Sequence, residues 1–218
     1  MKISHEVPFC LLEKSREFND YDYCLPHILN LNNHEFIIPD VWEDYESSVK
    51  NAIKWKDIEL PDYTTKVVVV QGKTLEDAKS CFYDYLGLGY EKIAFSYGAA
   101  WYNDVCPHPN KDLGKAIGRF NFISSLYQNE WIPHYLRIHL LGTASPIEFG
   151  MYSNMPNIES IDTSNPIMAA IGEMPYHNLG LTSKPKANMN ECQDIDIESI
   201  NIDLIEHNVE QFKKINNL

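Results

Sequence analysis

The chain has 218 residues, 44% of them hydrophobic and 22% charged, a globular composition that excludes a disordered, collagen-like or coiled-coil protein. Thirty-one acidic residues against eighteen basic ones give a net charge of −13, which excludes attachment to nucleic acid through a broad basic surface but not through a local patch beside a pocket. No apolar run reaches the roughly 18 residues of a membrane span, and Met1–Leu12, which includes Glu6 and Pro8, lacks the apolar stretch of a secretion signal, so a cytoplasmic protein with no membrane partner is expected.

In chain order, Glu35–Asp40 (EFIIPD) predicts a buried strand, and Val41, Trp42, Tyr45, Val49, Ala52 and Ile53 follow at helical spacing. Lys66–Gly72 (KVVVVQG) is a β-branched run stopped by a glycine, the strongest strand signal in the chain. Thr74 and Asp77 form a helix-capping pair, ahead of an apolar face made by Leu75, Ala78, Phe82, Tyr85 and Leu86 and ending near Gly87 and Gly89. Lys92–Gly98 (KIAFSYG) predicts the next strand, followed by an irregular stretch over Ala99–Lys111. Asp112 then caps a helix that carries Leu113, Ala116, Ile117, Phe120, Ile123 and Tyr127 inward. Arg137–Gly142 (RIHLLG) predicts another strand, and Ser145-Pro146-Ile147-Glu148 a helix start. Ser160–Thr163 reads as a fifth strand end, with Asn165-Pro166 opening a helix. A polar loop is expected over about Tyr176–Asp194, and a C-terminal amphipathic helix over about 200–216 carries Leu204, Ile205, Val209, Phe212 and Ile215.

Strand–helix alternation of this kind argues for a parallel sheet in a single domain spanning residues 1–218. No Gly-x-Gly-x-x-Gly and no P-loop sequence is present, which removes the usual phosphate-binding support for an open doubly wound sheet. The chain shows five strand–helix units, with an N-terminal region that adds one or two strands at most. The expected fold class is therefore α/β, of the TIM-barrel (β/α) type in shortened or incomplete form.

In such folds the chemistry lies beyond the carboxyl ends of the strands. Those ends carry Asp40, Gln71, Ser96 with Tyr97 and Gly98, Gly142 with Thr143, and Asp162. An Asp and a Gln can satisfy the donor and acceptor edges of a purine-like base, leaving the second carboxylate to attack or to stabilise a cation. Taken singly, an Asp just after a strand is more often a helix cap or turn former than a catalyst, and Gln71 before Gly72 can simply close a turn. Their shared position is what sets them apart.

These segments also resemble a known family. RIHLLGTASP (137–146), followed by SIDTSNP (160–166), resembles the end of the tRNA-guanine transglycosylase barrel, where a His-x-Leu-Gly segment precedes a strand ending in the nucleophilic aspartate. FIIPD (36–40) and VVVVQG (67–72) resemble the strands that bear the base-reading aspartate and glutamine, and Lys92–Gly98 the strand whose backbone lines the pocket. EFNDYDY (17–23), IPDVWED (38–44) and SIDTSNPI (160–167) are closest to the phage-type branch that inserts 7-deazaguanines into DNA. The resemblance covers about residues 1–180. It implies Asp162 as nucleophile, Asp40 and Gln71 as base-binding residues, and Ser96, Tyr97, Gly98 and Gly142 as the pocket lining; the tRNA enzymes have glycines at the first two of these four positions.

The implied substrates are a guanine nucleotide in DNA, or in tRNA for the sister chemistry, and a free 7-deazaguanine base. The implied route is a covalent aspartyl–sugar intermediate needing no metal or redox cofactor. The chain departs from the family in three ways. It has no room between Leu29 and Glu35 for the family's acid/base aspartate, which leaves Asp20 or Asp22 as a stand-in, an internal deletion, help from another chain or a second copy, or an inactive protein that only binds. It lacks the Cys-x-Cys-x-x-Cys…His zinc site. It also lacks an appended RNA-binding domain. The five cysteines, Cys10, Cys24, Cys81, Cys106 and Cys192, include no Cys-x-x-Cys pair, so no metal site is expected.

Lys111, Lys115 and Arg119, at one-turn spacing, and Lys184 and Lys186 are the candidate contacts to a phosphate backbone, against the plainer reading of a solvated helix face. Cys106-Pro107-His108-Pro109 reads as a structural loop. His139 reads as a core residue or as support for the site. Trp42, Tyr97 and Trp101 are aromatic candidates for stacking on a base.

Overall fold

The computed structural model describes residues 34–129, 131–143, 145–177 and 200–218. Asp20, Asp22, Lys184, Lys186 and the Glu17–Tyr23 segment lie outside the described residues, as does most of the expected polar loop. Five parallel strands form one sheet: β1 (Glu35–Ile37), β2 (Thr65–Val70), β3 (Lys92–Ser96), β4 (Arg137–Leu141) and β5 (Ile158–Asp162). Their spatial order is their chain order, and the sheet curls into a half-barrel.

Between the strands run helices α1 (Tyr45–Lys56), α2 (Leu75–Gly87), the single turn α3 (Tyr102–Val105) and α4 (Lys111–Gln128). A 3₁₀ turn (Glu148–Tyr152) connects β4 to β5, and α5 (Asn165–Ile171) and α6 (Ile202–Asn216) complete the described chain. None of the described helices is long and apolar enough to cross a membrane.

The period-2 alternation of a strand divides each one between the two faces of the sheet. Val68, Val70, Ile93, Phe95, Ile138, Leu140 and Ile161 point to the main core with Trp55, Phe82, Phe122 and Phe149. Val67, Val69 and Ala94, packed with Ile37 and Leu141, form a second cluster on the concave face. Burial on both faces explains the unbroken valine run of β2. One β-bulge interrupts the ladder: Ile138 pairs with Ile158 and His139 with Ser160, so Glu159 is an extra residue.

The helix ends follow local chemistry. Thr74 and Asp77 close a reciprocal capping box on α2. At its far end Gly89 takes a positive φ of 84°, Gly89 N–H donates to Leu86 O and Tyr90 N–H to Tyr85 O.

Several expectations are corrected. Helix α1 starts at Tyr45 behind the Asp44 cap and buries Ser48, Ala52 and Trp55, whereas Trp42 and Ile53 are more than half exposed. The stretch expected to be irregular contains α3, and α4 is capped by Asn110, not Asp112, its side chain accepting from the amides of Asp112 and Leu113. The Ser145-Pro146 start leads into a 3₁₀ turn only, where Thr143 Oγ1 lies 2.6 Å from both Ser145 O and Glu148 Oε2, its single hydrogen serving one of the two at a time. The expected polar loop begins with a buried residue, Tyr176, whose amide donates to Asn208 on α6.

Candidate active site

Because all strands are parallel, their carboxyl ends share one edge of the sheet, where the chain leaves extended structure and exposes its turn residues. Asp40 follows β1, Gln71 follows β2, Ser96 ends β3, Gly142 follows β4 and Asp162 ends β5. The predicted residues therefore lie along one edge. Asp40 and Asp162 occupy its two flanks, four strand steps apart, or roughly 19 Å measured along the sheet at about 4.8 Å per step. The curl of the half-barrel shortens the straight path between them.

Asp162 is held by its neighbours on β4. Its Oδ1 accepts from Gly142 N–H at 3.0 Å and lies 3.2 Å from His139 Nε2. Among the described residues Oδ2 accepts no hydrogen bond, and the side chain is one-third exposed. One oxygen is anchored and the other is unbonded among the described residues. Gly142 can make this contact because its φ is +62°, a left-handed conformation that glycine adopts without penalty. The Tyr97 ring also packs against it so closely that a Cβ there would sit 2.4 Å from the ring.

At the other flank Gln71, nearly fully buried, donates through Nε2 to Asp40 Oδ2 and accepts at Oε1 from Glu43 N–H at 3.0 Å. A carboxylate only accepts and an amide N–H only donates, so this orientation of the Gln71 amide is the one the network allows. Burial pushes the Asp40 carboxyl above the ordinary carboxylate range, partly offset by the Gln71 hydrogen bond. Glu43 reaches Gln71 by taking a positive φ of 53°, and its Oε1 accepts from Ala100 N–H at 3.2 Å. The Trp42 indole lies over Gly98, where a Cβ would meet the ring at 2.3 Å. The loop after β1 is thereby latched to the loops after β2 and β3. Each Gln71 amide atom keeps one further bonding position for a ligand.

The phosphate-contact expectation is corrected at Arg119. Its side chain is fully buried. Its Nε donates to Glu148 Oε1 at 2.6 Å, Nη1 to Phe95 O and Leu141 O, and Nη2 to Gly142 O at 2.8 Å. It ties the ends of β3 and β4 together and supports the Gly142 turn from behind. Lys115 is half-buried and donates to Gly98 O at 2.9 Å at the site's rim, while Lys111 is exposed. Ser96 Oγ accepts from Gly98 N–H, and Trp101 belongs to the core, not to the site. Among the described residues no group of three or more His, Cys, Asp or Glu could hold a metal ion.

His139 lies where its expected supporting position puts it, whereas Ser160 and the buried role of Arg119 were not expected. For Ser160 the signal was present. His139-x-Leu141 and Ser160-x-Asp162 share the strand period of two, so pairing Leu141 with Asp162 puts the histidine beside the serine. Nothing in the sequence marked Arg119 as buried.

Against known proteins, no family model matches the chain and no curated protein is similar to it.

Proposed function

We propose that the protein is a base-exchange transglycosylase, built on an incomplete TIM-type barrel, that replaces guanine in DNA with a 7-deazaguanine. The observation that carries this reading is the Asp162 carboxylate at the end of β5, one-third exposed, with one oxygen held by a backbone amide and a histidine and the other accepting no hydrogen bond among the described residues. That is the arrangement a carboxylate nucleophile needs. The Asp40–Gln71 pair on the same edge offers the mixed donor and acceptor groups that suit a purine edge.

In this mechanism Oδ2 of Asp162 attacks C1′ of the nucleotide through an oxocarbenium-like state. The C1′–N9 bond breaks, its electron pair leaves with guanine, and guanine takes up one proton. The sugar is then esterified to Asp162. The incoming 7-deazaguanine loses its N9 proton, its N9 attacks C1′, and Asp162 departs as a carboxylate. Water supplies the proton that guanine takes up and receives the one that the incoming base loses, and no atom changes oxidation state. The target nucleotide must leave the helical stack, which costs a few kcal/mol and favours single-stranded or flipped substrate.

The test is an incubation of the purified chain with a guanine-labelled single-stranded oligonucleotide and 7-cyano-7-deazaguanine. Label release is expected, together with a trapped sugar adduct on Asp162 seen by mass spectrometry. Asp162→Ala is expected to lower release by on the order of 10³-fold or more. Release from labelled tRNA but not from DNA would move the activity to the tRNA-directed form. A second reading, a protein that binds the base without turnover, is favoured by the lack of room for an acid/base aspartate between Leu29 and Glu35. Base binding with no release from either nucleic acid would establish it.

A further inference from the structure

We infer that His139 is a positioning residue for Asp162, held in a single tautomer by a buried chain through Ser160 to Lys92; the inference rests on the nucleophile reading above. The four groups occupy the concave face of β3, β4 and β5. Lys92 is fully buried, with its ammonium 2.5 Å from Glu35, 2.7 Å from Glu159 and 3.2 Å from Ser160 Oγ. Ser160 Oγ is 2.8 Å from His139 Nδ1, and His139 Nε2 is 3.2 Å from Asp162 Oδ1.

For a neutral imidazole the direction of every bond follows from the chemistry of the ends. An ammonium has no lone pair, so Lys92 donates to Ser160 Oγ; a carboxylate has no hydrogen, so Asp162 must be the acceptor. The neutral imidazole then carries its hydrogen on Nε2 and accepts at Nδ1 from the Ser160 hydroxyl. The opposite neutral tautomer would set two lone pairs against each other at Asp162. With Gly142 N–H, the ring places a second donor on Oδ1 and leaves Oδ2 to meet C1′.

A residue that merely filled this layer would resemble its apolar neighbours Val69 and Leu141. Burying a histidine, a serine and a lysine there is costly unless each is satisfied, and the chain they form ends on the nucleophile. The bulge at Glu159 is part of the device, because the extra residue turns a second carboxylate onto Lys92 while Ser160 and Asp162 stay in register with β4.

Three variants of the full chain separate positioning from packing. Gln at 139 places an amide donor where Nε2 stood, Asn reaches only toward Ser160, and Leu supplies bulk alone. His139→Gln is expected to keep kcat for guanine release within about threefold. His139→Asn and His139→Leu are expected to lower it about tenfold to a hundredfold, the range for losing one charge-assisted hydrogen bond, with KM for the oligonucleotide unchanged. Equal kcat in all three variants would overturn the inference. Nitrogen-15 NMR of the imidazole in the full chain gives a readout independent of activity. A fixed Nε2–H tautomer in the wild type, lost in Ser160→Ala, supports positioning, and an Nδ1–H tautomer overturns it. Should the wild-type chain exchange no base at all, the proposed function fails and the NMR result alone decides whether His139 orients the carboxylate.

Discussion

Gly142 is held on three sides: its N–H by Asp162, its carbonyl by Arg119, and its α-carbon by the Tyr97 ring. Any Cβ at this position meets both a positive φ and an aromatic ring, and the turn it would disturb also holds the Asp162 carboxylate. Gly142→Ala is expected to cost about 1–3 kcal/mol, read as a lowered urea midpoint with unchanged m-value. Asp40 gives a second prediction. Its carboxyl is pushed above its ordinary value of 3.8, chiefly by burial, so the folded state favours the protonated form. The stability it contributes is complete below about 3.8 and is lost as pH climbs through the raised value. Asp40→Asn, which carries no charge to bury, should melt higher than the wild type near neutral pH, and the gap should close as the solution is acidified. Melting curves across that range check it; a gap that widens on acidification would contradict the burial argument. At this scale the sequence was informative where a strand end exposes a functional group. Asp40, Gln71, Gly142 and Asp162 could be found that way, because strand ends in a parallel sheet must share an edge. The latch by Glu43 could not, since it depends on a left-handed backbone that a glutamate does not advertise.

Helix α4 explains the largest error at the level of elements. Lys111, Lys115 and Arg119 do share one face, as their spacing says, but that face changes environment along the helix: Lys111 is exposed, Lys115 half-buried and Arg119 fully buried. Periodicity tells which residues are neighbours on a helix and not where its axis passes beneath other structure. Gly114 and Gly118, also four apart, allow the close approach of α3, since a Cβ at Gly118 would sit 2.4 Å from Tyr102 O. The expectation of an irregular segment concealed this packing. Arg119 and Glu148 form a fully buried pair, with Tyr152 and Thr143 also bonded to the carboxylate. Arg119→Met alone strands the Glu148 charge and is expected to cost about 3–5 kcal/mol, whereas Arg119→Met with Glu148→Met should recover much of that loss. Urea denaturation of the two variants tests this; equal losses would mean that the carbonyl contacts, not the ion pair, dominate. The capping box of α2 was legible in full, because its partners lie three residues apart and need no tertiary context.

For the whole molecule, charge and topology set the terms. A net charge of −13 repels a polyanion, and of the basic residues first considered on α4, Arg119 is buried and Lys115 donates to a carbonyl. Oligonucleotide binding should therefore depend only weakly on salt, with a log–log slope shallower than about −2, because few phosphates displace counterions. Fluorescence anisotropy between low and physiological ionic strength measures it, and a steep slope would point to a basic surface elsewhere in the chain. The parallel α/β class was legible from strand–helix alternation. The extent of closure was not, since that depends on how strands bend, and no residue pattern here encodes curvature directly. The sheet's order carries one more consequence. Each strand lies beside the one made just before it, so no later segment must slip between two that are already joined. A chain emerging from the ribosome can lay down this sheet one rung at a time, with every loop to be closed spanning a single strand–helix unit and its entropic cost kept correspondingly small.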